Sequence, residues 1–117
     1  MHRINKARLG AKLRSTALVI ATAATITACS NAEQEALDQG KAIVDKNCKV
    51  CHAQGINGAP IIGNKKMWSK RAGQGIDVLV QHASEGFGLM PAKGGNQSLT
   101  DDDLRLAISY MLSELEK

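Results

Sequence analysis

The sequence predicts a small all-α domain that folds around a bound group. Three observations predict it. Apolar residues recur at three- and four-residue steps in two well-separated stretches, near 32–46 and 100–115. No stretch alternates apolar and polar residues as a half-buried strand does. Aromatics make up only 3% of the 117 residues, so a core of ordinary size needs filling by something other than rings. We find no internal repeat, and the length suits one domain.

The N-terminus is set apart. Arg3, Lys6, Arg8, Lys12 and Arg14 are followed by an Ala/Thr-rich apolar stretch from Ala17 to Ala28, and no charge lies between Arg14 and Glu33. This is the pattern of a secretory signal, and the apolar run is short for a membrane-spanning helix. Ile26-Thr27-Ala28-Cys29 has the form of a lipoprotein cleavage site, which makes Cys29 the expected lipidation site and residues 1–28 a signal peptide. Ordinary cleavage near Ala23 would leave Cys29 as a spare thiol in a soluble periplasmic protein; a lipid explains the odd cysteine. Residues 29–34 then read as a short tethered linker and 35–117 as the folded domain. The net charge of +4 belongs to the leader: from Cys29 onward there are 10 Lys+Arg against 11 Asp+Glu, a net of −1. That leaves no electrostatic case for nucleic acid.

Ser30 and Glu33 fit a capping box, and Ala36, Leu37, Gly40, Ile43, Val44 and Asn47 make one stripe, so the spacing predicts a helix over about 32–46. Gly40 is unfavourable inside a helix by about 1 kcal/mol relative to Ala. Its place on the inward stripe predicts that another helix crosses there. Cys48-Lys49-Val50-Cys51-His52 follows at once. C-x-x-C-H is the attachment signature of a c-type haem: two thiols at this spacing can each add to one vinyl group, and the adjacent histidine can reach the iron. Zinc would need further ligands, and only His2, His82 and Cys29 remain. A dithiol redox site would need a strand before the motif.

Residues 53–64 hold Gly55, Gly58, Pro60 and Gly63 and read as a loop. A metal-bound histidine donates its second ring N–H to a fixed acceptor, and a backbone carbonyl in the Pro60 region is the expected one for His52. Lys65 to Ala72 and Ile76 to Ser84 read as short helices, separated by Gly73 and Gly75. Gly86 to Gln97 is a second loop and contains Leu89-Met90-Pro91. Thr100, followed by Asp101, Asp102 and Asp103, starts the last helix, and Leu104, Ala107, Ile108, Met111, Leu112 and Leu115 are its apolar face.

For the iron's sixth position the candidates are Met67, His82, Met90 and Met111. Met111 reads as core, and Met67 and His82 as surface or packing. Met90 sits in a Gly/Pro-rich loop, where an apolar side chain needs a target. A His52/Met90 pair gives a raised potential and closes the site to substrate, which suits electron transfer and not catalysis. An enzyme would need an open iron and acid–base helpers, and His82 is the sole candidate helper.

Gly40 eight positions before Cys48, the haem motif near the start of the folded domain, and a methionine in the loop before the last helix resemble a class I c-type cytochrome. Gly58-Ala59-Pro60, Trp68, Arg71, Met90-Pro91-Ala92-Lys93-Gly94-Gly95-Asn96 and Ala107-x-x-Tyr110-Met111 resemble the cytochrome c5 group, over nearly all of residues 35–115. The resemblance implies N- and C-terminal helices crossing around one covalent haem c. Cys48 and Cys51 would be thioether sites, His52 and Met90 the axial ligands. Gly40 would meet Ala107 and Tyr110. The Trp68 indole would hydrogen-bond a propionate, with Arg71 as the weaker candidate. The C-terminal half lacks the extra cysteine pair that some members carry. The function implied is one-electron transfer between redox protein partners at the cell envelope, by a monomer, with Lys49 and Lys93 flanking an exposed haem edge.

Overall fold

A computed structural model describes the backbone of residues 23–117 and the side chains from Ser30 onward. The basic leader therefore lies outside the described residues, as does the side chain of Cys29. The elements are α1 (Ala23–Asn47), α2 (Lys49–His52), a 3-10 turn at Ile56–Gly58, α3 (Lys65–Ala72), α4 (Ile76–Glu85), a second 3-10 turn at Ala92–Gly95, and α5 (Asp101–Ser113). Among the described residues there is no strand; one isolated bridge joins Phe87 to Met90. The fold is all-α, as expected.

The first helix differs from expectation. It begins at Ala23, so Ser30 and Glu33 lie within it and do not cap its start. Residues 29–34, expected as a short tethered linker, are helical. The reason is propensity. Ala23, Ala24, Ala28, Ala32 and the run Glu33-Gln34-Glu35-Ala36 are mostly strong helix formers, and extending an existing helix is far easier than nucleating one.

α1 and α5 cross at Gly40. A Cβ on Gly40 would stand 2.2 Å from the Leu106 carbonyl oxygen and 3.0 Å from Tyr110 Cβ. The nearest atoms are thus the backbone of Leu106 together with Tyr110, the latter as expected. Ala107 instead joins Val44, Trp68 and Met111 in one buried cluster. A second cluster comprises Leu79, Val80, Ala83, Leu99, Leu104 and Ile108. α5 serves both, with Leu104 and Ile108 on one side of its stripe and Ala107 and Met111 on the other. Met111 is core, 4% exposed.

The other helices start and stop for local reasons. Asn64 Oδ1 accepts from Met67 N at 3.1 Å and caps α3. α5 opens with a full capping box. Asp103 N donates to Thr100 Oγ1 at 3.2 Å, and Thr100 N donates to Asp103 Oδ2 at 2.9 Å. Thr100→Ala should lower stability by about 1 kcal/mol, read from a denaturant midpoint. Those bonds from Thr100 hold the Asp103 carboxyl below its ordinary value of 3.8. The folded value is depressed, so the contribution is present above 3.8 and is lost as pH falls through the lower folded value. The gap between Thr100→Ala and the parent should therefore narrow in strong acid without closing, since the bond from Asp103 N to Thr100 Oγ1 does not depend on the carboxylate.

Candidate functional site

α1 ends at Asn47, but the chain keeps turning. Cys48 N donates to Val44 O at 2.9 Å and His52 N to Cys48 O at 3.0 Å. This single turn sets Cys48, Cys51 and His52 along one wall of a cavity of about 520 Å³, with Pro60, Trp68 and Met90 also in its lining. The Ile56–Gly58 turn brings the following loop back beneath the motif, and Ile62 N donates to His52 O at 2.9 Å.

His52 is 8% exposed. Its Nδ1 lies 2.9 Å from the Pro60 carbonyl oxygen. A carbonyl only accepts, so Nδ1 carries the proton and Nε2 keeps a lone pair for a metal. This is the acceptor the sequence placed in the Pro60 region. The His52 and Trp68 rings are stacked, with centroids 6.3 Å apart.

Trp68 lines the cavity. Its Nε1 donates to Ile61 O at 2.9 Å. An indole has one N–H, and here it ties the 53–64 loop to α3. Arg71 also lines the cavity, and its Nη1 donates to Met67 O at 2.6 Å.

Met90 is half-buried and packs against the Leu79–Ile108 cluster. Its backbone is pinned by paired bonds to Phe87, N to O in both directions at 3.0 Å. Gly86 makes this turn possible: its φ is 89°, and a Cβ there would come within 3.0 Å of Met90 O and Ala92 N. The candidates Met67 and Met111 are not in the same position. Met111 lines the cavity but is held in the core, and Met67 does not line the cavity.

His82 was read as surface or packing, but it lines the cavity and stacks on Phe87 with centroids 4.2 Å apart. Its signal was its place between Leu79 and Ala83 on the inward stripe of α4. Asn47 also reaches the cavity, a role that its helix-stripe position alone did not disclose. Lys49 pairs with Asp45 at 3.4 Å, so its charge is partly offset before any partner arrives.

Burial, and secondarily the neighbouring Cys51, push the Cys48 thiol up to about 11. In protein prepared without haem, alkylation of Cys48 by iodoacetamide should stay slow at neutral pH and rise steeply toward pH 11. A full rate already reached by pH 8 would contradict this.

The donor set suits an iron held in a macrocycle. Among the described residues, no group of three or more His, Cys, Asp or Glu could hold a bare metal ion. Two histidines, His52 and His82, two thioethers, Met90 and Met111, and two thiols instead line a mostly apolar cavity of the size that takes a cofactor. A family model described as cytochrome C oxidase, cbb3-type, subunit III, matches residues 35–111. The chain belongs to the class I c-type cytochromes. Similarity to individual cytochromes agrees. The chain is 43% identical over 79 residues to a cytochrome c-555 of Chlorobaculum tepidum, covering 64% of this chain and 73% of that one. It is 41% identical over 71 residues to the cytochrome c5 of Ectopseudomonas mendocina, covering 59% and 82%. A chain from a crystal structure of an electron transfer complex of nitrite reductase with cytochrome c aligns with a TM-score of 0.63 and 35% identity, over 66% of this chain and 94% of that one. As a class I cytochrome close to the c5 group, the protein takes one covalent haem c and carries electrons; it is not an enzyme.

Proposed function

We propose that this cytochrome is an exported one-electron carrier whose haem c is bonded through thioethers at Cys48 and Cys51, with His52 and Met90 as axial ligands. The observation that carries the reading is that these four side chains line one cavity while Nδ1 of His52 is engaged by Pro60. Haem c, when bound, supplies an iron that cycles between ferrous and ferric states. The chain does the rest. Pro60 O fixes the tautomer and direction of His52. The Phe87–Met90 pairing fixes the backbone of the distal ligand. Apolar walls exclude water, which keeps reorganisation small. The deciding experiment is the spectrum of the ferric holoprotein. A Met–iron charge-transfer band supports the reading, and a high-spin five-coordinate signal overturns it.

The basic leader and the apolar stretch to Ala28 support export, and haem c attachment outside the bacterial cytoplasm agrees with it. Ile26-Thr27-Ala28-Cys29 supports a lipid on Cys29 and a membrane-bound carrier facing the periplasm. No described helix is long and apolar enough to cross a membrane. Mass spectrometry of the mature N-terminus tests this, since an unmodified start near Thr25 would leave a soluble periplasmic carrier. The partners are redox proteins that give and take one electron. A structural neighbour's complex with nitrite reductase supports that class of partner.

A further inference from the structure

The segment that bears Met90 runs from Gly86 to Asn96, and its far end returns to α1. Asn96 Nδ2 donates to Asn47 Oδ1 at 2.9 Å, across 49 positions of sequence. Further partners orient both amides. Asn47 Nδ2 donates to Ile43 O at 2.9 Å. Asn96 Oδ1 accepts from Ser98 N at 3.1 Å and from Ser98 Oγ at 2.6 Å. With its oxygen so engaged, Asn96 presents its amide nitrogen to Asn47. Gly94 belongs to the same contact, since a Cβ there would stand 3.5 Å from the Asn47 carbonyl oxygen. The contact is part-buried, where water competes less for a hydrogen bond.

The other bonds of this segment are local. Phe87 and Met90 pair with each other, Gly94 N donates to Pro91 O at 3.1 Å, and Asn96 N donates to Lys93 O at 3.1 Å. They shape the segment but do not fasten it to the helix that leads into the haem motif. The Asn47–Asn96 bond does, one residue before Cys48 and six after Met90.

We propose that the Asn47–Asn96 hydrogen bond is a latch that positions Met90 against the iron of haem c and slows its departure. Asn47 and Asn96 are positioning residues: they act through the Met90 segment. The proposal rests on the reading of Met90 as distal ligand.

The test is cyanide binding to the ferric holoprotein, because cyanide reaches the iron only when Met90 leaves. Asn47→Ala and Asn96→Ala should each raise the binding rate roughly fivefold, the factor expected for one net hydrogen bond. The double variant should add little to either single one. Asn47→Asp keeps an acceptor for Asn96 but loses the donor to Ile43 O, so its rate should fall between those of the parent and Asn47→Ala. Asn96→Ser, too short to reach Asn47, serves as the milder lesion and should match Asn96→Ala. A denaturant midpoint is recorded for each variant. A parent protein that shows the Met–iron band, with unchanged rates in the variants, overturns the latch alone. So do rates that merely follow the midpoints with additive effects in the double variant. A parent without that band overturns the ligand reading, and the latch with it.

Discussion

Gly40→Val should yield almost no folded holoprotein. Even the first added carbon meets the Leu106 carbonyl oxygen at 2.2 Å, with Leu106 C at 2.8 Å. Both are backbone atoms of α5, so no rotamer change relieves the clash. The helices must separate, and separation opens both core clusters, since α5 supplies residues to each. Overpacking of a dense core costs about 1–3 kcal/mol in typical cases, and a folded unit this small has little stability in reserve. Gly40→Ala is the milder form, and should fold with a lowered denaturation midpoint and less haem incorporated per chain. The measurement is the ratio of Soret absorbance to total protein after export, with thermal unfolding on whatever folds. A Gly40→Val protein as stable as the parent would mean that the helices do not cross here.

Met90→Ala should leave the fold and the covalent haem in place and change the electronic properties of the iron. Met90 touches the Leu79–Ile108 cluster from its edge, so its truncation costs less than that of a central core residue. Its proposed role, however, is at the iron, and the other thioether of the cavity, Met111, is held in the core. The ferric Met–iron band should vanish, and the reduced protein should bind carbon monoxide at neutral pH. The midpoint potential should fall by on the order of 0.1 V or more, within the ~0.8 V span over which axial ligands set haem potentials. Redox titration and the Soret shift under carbon monoxide check both. His82 lines the same cavity, which makes Met90→Ala/His82→Ala the informative double variant. A parent-like potential in Met90→Ala would rule out methionine ligation.

Much of this architecture was legible because its determinants are local. The start of α5 is written in Thr100 and the three aspartates after it. The haem motif is contiguous, and Gly40 stands out as a glycine where helix chemistry disfavours one. What escaped depends on how distant segments meet. The Trp68 indole bonds to Ile61 O, seven positions back, because the path of the loop places that carbonyl above α3; no pattern of side chains encodes that path. At the Gly40 crossing Tyr110 was legible from the side-chain stripe, but the nearest atoms, in the backbone of Leu106, were not, because a stripe says nothing of where a carbonyl projects. His82 was ambiguous since its ring could face either way from the border of the α4 stripe. The early start of α1 was hidden because the small, alanine-rich composition that suggests a signal is also good helix composition.

That unbroken α1 changes the mechanics of any attachment at Cys29. From Cys29 to Asn47 the backbone is helix throughout, and at 1.5 Å per residue it spans about 27 Å. A leash of that many residues would let the domain roam and tumble. A rod that ends one residue before Cys48 instead sets the stand-off distance of the redox centre from its mooring and limits its tilt. The exchange face would then sweep a cone above the membrane, and only partners whose own docking sites sit near that height would meet it often.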